Sequence, residues 1–67
     1  MNYRKGLSKM ELQVGCSYVN ADGEIIQIIG SESMLETVYY DRLGQAYMPD
    51  GWPWNGQHNK RLISIVQ

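Results

Sequence analysis

Cys16 and His58 are the chain's one thiol and one imidazole, the pair that a thiolate nucleophile and its base would require. Nothing in their spacing brings them together. Cys16 sits between Gly15 and Ser17 at the start of an apolar stretch, where a small packed residue is expected. His58 lies beside Asn59 and Lys60 in a polar one, where a solvated ring is expected. Without a second His or Cys, a zinc site would have to recruit carboxylates, and no ligand pair has the usual spacing. Asp22, Glu24, Glu32, Glu36, Asp41 and Asp50 fall mostly at turns, where they suit local backbone bonding. A paired acid and base would need two of them in one pocket with separated pKa values, and so small a chain leaves scant volume for it. Gly51 and Gly56 lack the following Lys-Ser/Thr and helix of a phosphate loop. The expectation is therefore a protein that is not an enzyme, with no metal and no cofactor.

Aromatic side chains carry the remaining functional weight. Tyr47-Met48-Pro49-Asp50-Gly51-Trp52-Pro53-Trp54-Asn55-Gly56-Gln57-His58 holds both tryptophans, both prolines and the only histidine. Pro and Gly punctuate it too densely for a helix or a central strand, so it reads as a structured loop. In Trp52-Pro53-Trp54 the indoles are two residues apart around a fixed φ, and in an extended segment they project to the same side. Either at least one plugs the core, or both protrude as anchors for a partner. Trp, Tyr and Arg are the types enriched at protein interfaces, which makes Trp52, Trp54, Tyr47 and Arg61 the candidate partner-binding set. The same aromatics could stack on unpaired bases, with Arg4, Lys5, Lys60 and Arg61 on phosphates.

Charge weighs between these. Net charge is -1, but Arg4, Lys5 and Lys9 make the first nine residues +3, while the rest carries three basic residues against seven acids. A short basic arm precedes a mildly acidic body, whereas a phosphate-tracking protein shows a larger basic excess. Nucleic acid is the less favoured partner.

The elements that must position these residues are strands. Sixty-seven residues allow one domain, near the lower limit for a single core without disulfides or metal. Ordering the chain costs roughly 100 kcal/mol at about 1.5 kcal/mol per residue, so every large apolar side chain is presumptively core. Residues 1–11 read as a flexible basic arm with a helical turn around Ser8 to Leu12, and 12–67 as one small β-barrel. Tyr18-Val19 and Glu24 to Ile29 are strands joined through Asn20-Ala21-Asp22-Gly23, whose Asp-Gly is a hairpin signal. Gly30-Ser31-Glu32-Ser33 breaks the second strand, and Glu36 to Tyr40 forms a third. Asp41-Arg42-Leu43-Gly44 suits a type I turn before a short strand Ala46 to Met48, and Leu62 to Val66 returns the chain to the sheet. Alternation places Ile26 and Ile28 on one face and Ile25 and Ile29 on the other, so the second face needs a cover: the arm, the Trp loop, a partner or a second copy. Five short strands with tight turns predict an all-β, five-stranded antiparallel barrel.

Val14-Gly15-Cys16-Ser17-Tyr18-Val19-Asn20-Ala21-Asp22-Gly23-Glu24 resembles the V-G-x-x-Y-x-x-x-D-G-x opening of many small bacteriophage and prophage proteins of SH3-like barrel fold. Tyr47, Asp50-Gly51 and Leu62-Ile63 resemble the group's later aromatic, Gly turn and closing strand, while Lys60-Arg61 stands where an acidic residue is common. The resemblance implies an accessory protein that binds and modulates, by inhibition, a bacterial host protein. A self-assembling subunit, a homo-oligomer, is a third reading, suggested by the two-sided apolar strand Ile25 to Ile29. The single cysteine, the lack of a signal-like start and the absence of an apolar run near the roughly 20 residues of a membrane span predict a cytoplasmic protein with no membrane role.

Overall fold

Glycine-centred turns set the course of the chain, and two of them are built alike. Asn20-Ala21-Asp22-Gly23-Glu24 and Asp41-Arg42-Leu43-Gly44-Gln45 each close with the fourth residue's amide on the first residue's carbonyl, at 2.9 and 3.1 Å. Gly23 and Gly44 take φ of 87° and 86°, a conformation that costs a residue with a Cβ. In both, the first side chain reaches inward: Oδ1 of Asn20 accepts from the amides of Asp22 and Glu24, and Oδ1 of Asp41 from those of Leu43 and Gln45. Asn20 and Asp41 are thereby buried with their polar atoms bonded.

The computed structural model of the chain describes residues 11–66. These turns separate β1 (Ser17–Asn20), β2 (Ile25–Ser33), β3 (Thr37–Asp41) and β4 (Ala46–Tyr47); a 3-10 turn at His58–Lys60 precedes β5 (Leu62–Val66). All neighbours pair antiparallel in one sheet of order β4-β3-β2-β1-β5. The expected all-β, five-stranded antiparallel architecture is the observed one, curled into a half-barrel. Among the described residues strand pairing leaves the barrel open, with β4 and β5 as its two edges. Arg4 and Lys5 of the arm, and the helical turn as far as Met10, lie outside the described residues; Glu11 and Leu12 are irregular.

β2 differs from expectation. It runs on through Gly30 to Ser33, because β3 supplies the bonds that the polar segment was expected to lack. Residues 25–27 pair with β1, residues 28–33 with β3, and a bulge between Ile28 and Gly30 marks the change of partner. A bulge adds twist and bends the strand, which curls the sheet.

Leu12, Tyr18, Ile28, Tyr47 and Leu62 form the core, with Cys16, Ile26 and Tyr39 packed against it. Cys16 is thus a packed residue, as its neighbours suggested. The alternation of β2 holds: Ile28 is buried and Ile26 half-buried, whereas Ile25 and Ile29 stand 66% and 54% exposed on the other face.

Candidate functional site

The loop after β4 folds back as a hairpin. Pro49 and Asp50 lead into Gly51, whose amide bonds to the Met48 carbonyl at 2.9 Å, and the Met48 amide bonds to the Trp52 carbonyl at 2.7 Å. A type I turn followed by a positive-φ glycine makes a three-residue hairpin connection. Pro53 then pairs with Tyr47, and the Trp54 amide donates to the Ala46 carbonyl. Two further bonds tie the loop across the open side of the half-barrel: Leu62 N–H to the Gly51 carbonyl and Leu12 N–H to the Pro49 carbonyl.

This hairpin decides which aromatic residues can act. Tyr47 is 2% exposed, with its hydroxyl donating to Asp41 Oδ2 at 3.0 Å. It is a core residue, which corrects its expected place among the partner anchors; alternation on β4 turns it inward. Burial and the Asp41 carboxylate together hold its phenol well above the usual tyrosine range. Pro53 plugs the core between the tryptophans, so neither indole does. Trp52 is half-buried and clamped: the Arg61 guanidinium lies 5.0 Å from its ring centroid, and the exposed His58 ring packs edge-on at 5.0 Å and 85°. Arg61 and Trp52 therefore hold the loop to the start of β5, and each occupies the other's face.

Trp54 is the aromatic left facing solvent, 57% exposed. It joins residues to which the sequence alone assigns no binding role. The β2–β3 hairpin tip carries Met34, 89% exposed, and Leu35, fully exposed. With Val38 and Trp54 they line a shallow concavity of ≈ 330 Å³ whose rim is Glu32 and Glu36. The tip is braced by the Met34 amide on the Glu36 carbonyl, by Ser33 and Thr37 hydroxyls 3.0 Å apart, and by the Tyr40 hydroxyl donating to Glu32 at 3.1 Å. That last bond raises the Tyr40 pKa. The available signal was local: two large apolar residues inside a Ser/Glu turn have no core to reach.

A larger concavity of ≈ 500 Å³ opens between the two alike turns, with Glu24, Asp41 and Lys60 in its wall. Its charged groups are engaged within the molecule. Lys60 Nζ lies 3.1 Å from Glu24 and 3.5 Å from Asp22, and the Asn20 amide donates to Glu24 at 2.9 Å. The Asn20 and Lys60 bonds lower the Glu24 pKa, and the Glu24 bond raises that of Lys60.

No family model, curated protein or solved structure matches this chain. Among the described residues no hydrogen bond joins Cys16 to His58, and no group of three His, Cys, Asp or Glu is placed to hold a metal ion. No helix there is long and apolar enough to cross a membrane. What this arrangement can do chemically is bury apolar surface: one indole, one thioether and two aliphatic side chains, on a braced support.

Proposed function

We propose that the protein works by binding another protein, seating the face of Met34, Leu35, Val38 and Trp54 on an apolar surface ringed by Lys or Arg. The observation that carries this reading is the tip itself. Met34 and Leu35 stand almost wholly in water on a hairpin tip braced by its own hydrogen bonds, beside the more exposed of the two tryptophans, and together with it they line one concavity. Glu32 and Glu36 on the rim select a partner of opposite charge, since like charges across an interface suppress wrong pairings. In this reading the partner is a bacterial host protein met in the cytoplasm and blocked by occupation of its surface, as the phage resemblance implies. Lys60, engaged by two carboxylates, weighs against a phosphate-binding role.

Capture from bacterial lysate tests the reading, with wild type, Trp54→Ala and Leu35→Lys run side by side and nuclease-treated lysate in parallel. A stoichiometric protein held by the wild type, indifferent to nuclease and lost with both variants, is expected. Capture that survives both variants removes the face from the argument. Capture that vanishes with nuclease moves the reading to nucleic acid.

A further inference from the structure

β5 has the composition of a core strand and the setting of a surface one. Leu62 is buried, yet Ile63, Ser64, Ile65 and Val66 are all exposed, Ile63 by 49% and Ile65 by 45%. A strand with one face on a core alternates, as β1 does. Beyond Leu62, residues on both faces of β5 are exposed, Val66 by 37%. The strand is also an edge: β1 pairs with one side, and among the described residues no strand pairs with the other. Only the Leu62 amide finds a partner there, the Gly51 carbonyl.

The backbone shows which groups wait. The Asn20 amide bonds toward β2, at the Glu24 carbonyl, so by antiparallel alternation Val19 and Ser17 bond toward β5 through their partners Ser64 and Val66. Ile65, between them, turns its N–H and C=O outward. Edges of this kind are ordinarily blunted by charge, proline, a bulge or a cover. Leu62 to Val66 carries no charge and no proline, and its bulge, opposite Val19 and Asn20, lies at the start and leaves Ser64 to Val66 in regular register.

We propose that two copies of the chain pair antiparallel through β5 about a two-fold axis at Ile65, joining their sheets edge to edge. Ile65 exchanges both backbone bonds with its counterpart, and Ser64 stands opposite Val66. The segment is self-complementary, as a two-fold interface must be. Charge admits a second copy as the occupant here and disfavours one at the tip: β5 is uncharged, so copies meeting through it bring no like charges together, whereas copies meeting at the tip would oppose Glu32 and Glu36 to themselves. The contact is narrow, which makes the dimer concentration-dependent rather than obligate.

Sedimentation equilibrium of the full chain from about 1 μM to about 1 mM tests this. The mass is expected to rise from monomer to dimer, with Ile65→Lys raising the dissociation constant at least about tenfold and Leu35→Lys leaving it unchanged. A monomer throughout overturns the proposal, as does a dimer indifferent to Ile65→Lys or abolished by Leu35→Lys. Amide exchange on the wild type needs no variant. The Ile65 amide should be protected at high concentration and exchange freely at low, and equal protection at both overturns the two-fold pairing.

Discussion

The two edges of the sheet are finished in opposite ways. At β4 the chain doubles back on itself: Pro53 pairs with Tyr47, Trp54 bonds to Ala46, and Trp52 is clamped by Arg61 and His58. At β5 no further strand pairs among the described residues, and Ile63, Ile65 and Val66 stay 37% to 49% exposed. Charge separates them again, since the apolar tip reached from the β4 side is rimmed by Glu32 and Glu36 while β5 has none. One edge is closed by its own loop, beside a surface lined by Glu32 and Glu36, which the proposed function gives to a foreign partner. The other is unpaired among the described residues and neutral, and the proposed dimer gives it to a second copy.

The sharpest way to break this contrast is to weigh the two edges in stability. Tyr47→Ala removes an aromatic from the closed end and should cost about 3–5 kcal/mol, close to the whole stability of so small a domain. Ile65→Ala at the open end should cost under about 1 kcal/mol for the monomer. Urea unfolding at low protein concentration measures both, and equal costs would erase the distinction. Next in size, Trp54→Ala should weaken capture of a protein partner by about 2 kcal/mol or more while changing monomer stability by less than about 0.5 kcal/mol. A matching loss of stability would make Trp54 a structural residue like Trp52.

Tyr47→Phe keeps the ring and leaves Asp41 Oδ2 without its donor, for an expected cost of about 1–3 kcal/mol. It also changes the alkaline limb. The Tyr47 phenol is raised in the folded protein, so above about pH 10 the unfolded chain loses a proton that the folded one retains. Stability should therefore fall as pH rises past that point, with buried Tyr18, also raised, acting in the same direction. Unfolding followed over this range should show a shallower fall for Tyr47→Phe. An unchanged slope would remove Tyr47 as its source.

The smallest effect is at the polar concavity. Glu24 is lowered by Asn20 and Lys60, so its contribution is present above the usual carboxylate range and lost as pH falls through the lowered value. Lys60→Ala should move that acid limb to higher pH, and the difference from wild type should shrink in high salt because the pair is exposed. A salt-independent difference would mean that Lys60 acts through packing.

Much of the fold was legible because it is written locally. Asp22-Gly23 and Asp41 with Gly44 announce their turns through the φ that glycine permits and the carboxylate or amide that caps the loop, and β5 was read at its true bounds from its β-branched residues. Gly30 to Ser33 was misread for the complementary reason. Polar residues there look like a break until β3 lies alongside and uses their backbone bonds. The site was legible only in part: Trp54 was named, while Met34 and Leu35 were not, since apolar residues in a small chain are first assigned to the core. Tyr47 was named and is buried, because short β4 offers one inward position and Tyr47 occupies it.

The sequence by itself determined where the turns at residues 20–24 and 41–45 fall and that Ser17–Asn20, residues 25–29 and Leu62–Val66 extend, since each follows from φ preferences and the two-residue period of a strand. Only the tertiary structure decided that Pro53 and not a tryptophan fills the core, that Arg61 and Lys60 are engaged within the molecule, and that Met34, Leu35 and Ile65 reach solvent. Burial is a property of what lies opposite a side chain, and opposite faces meet only after the sheet has curled.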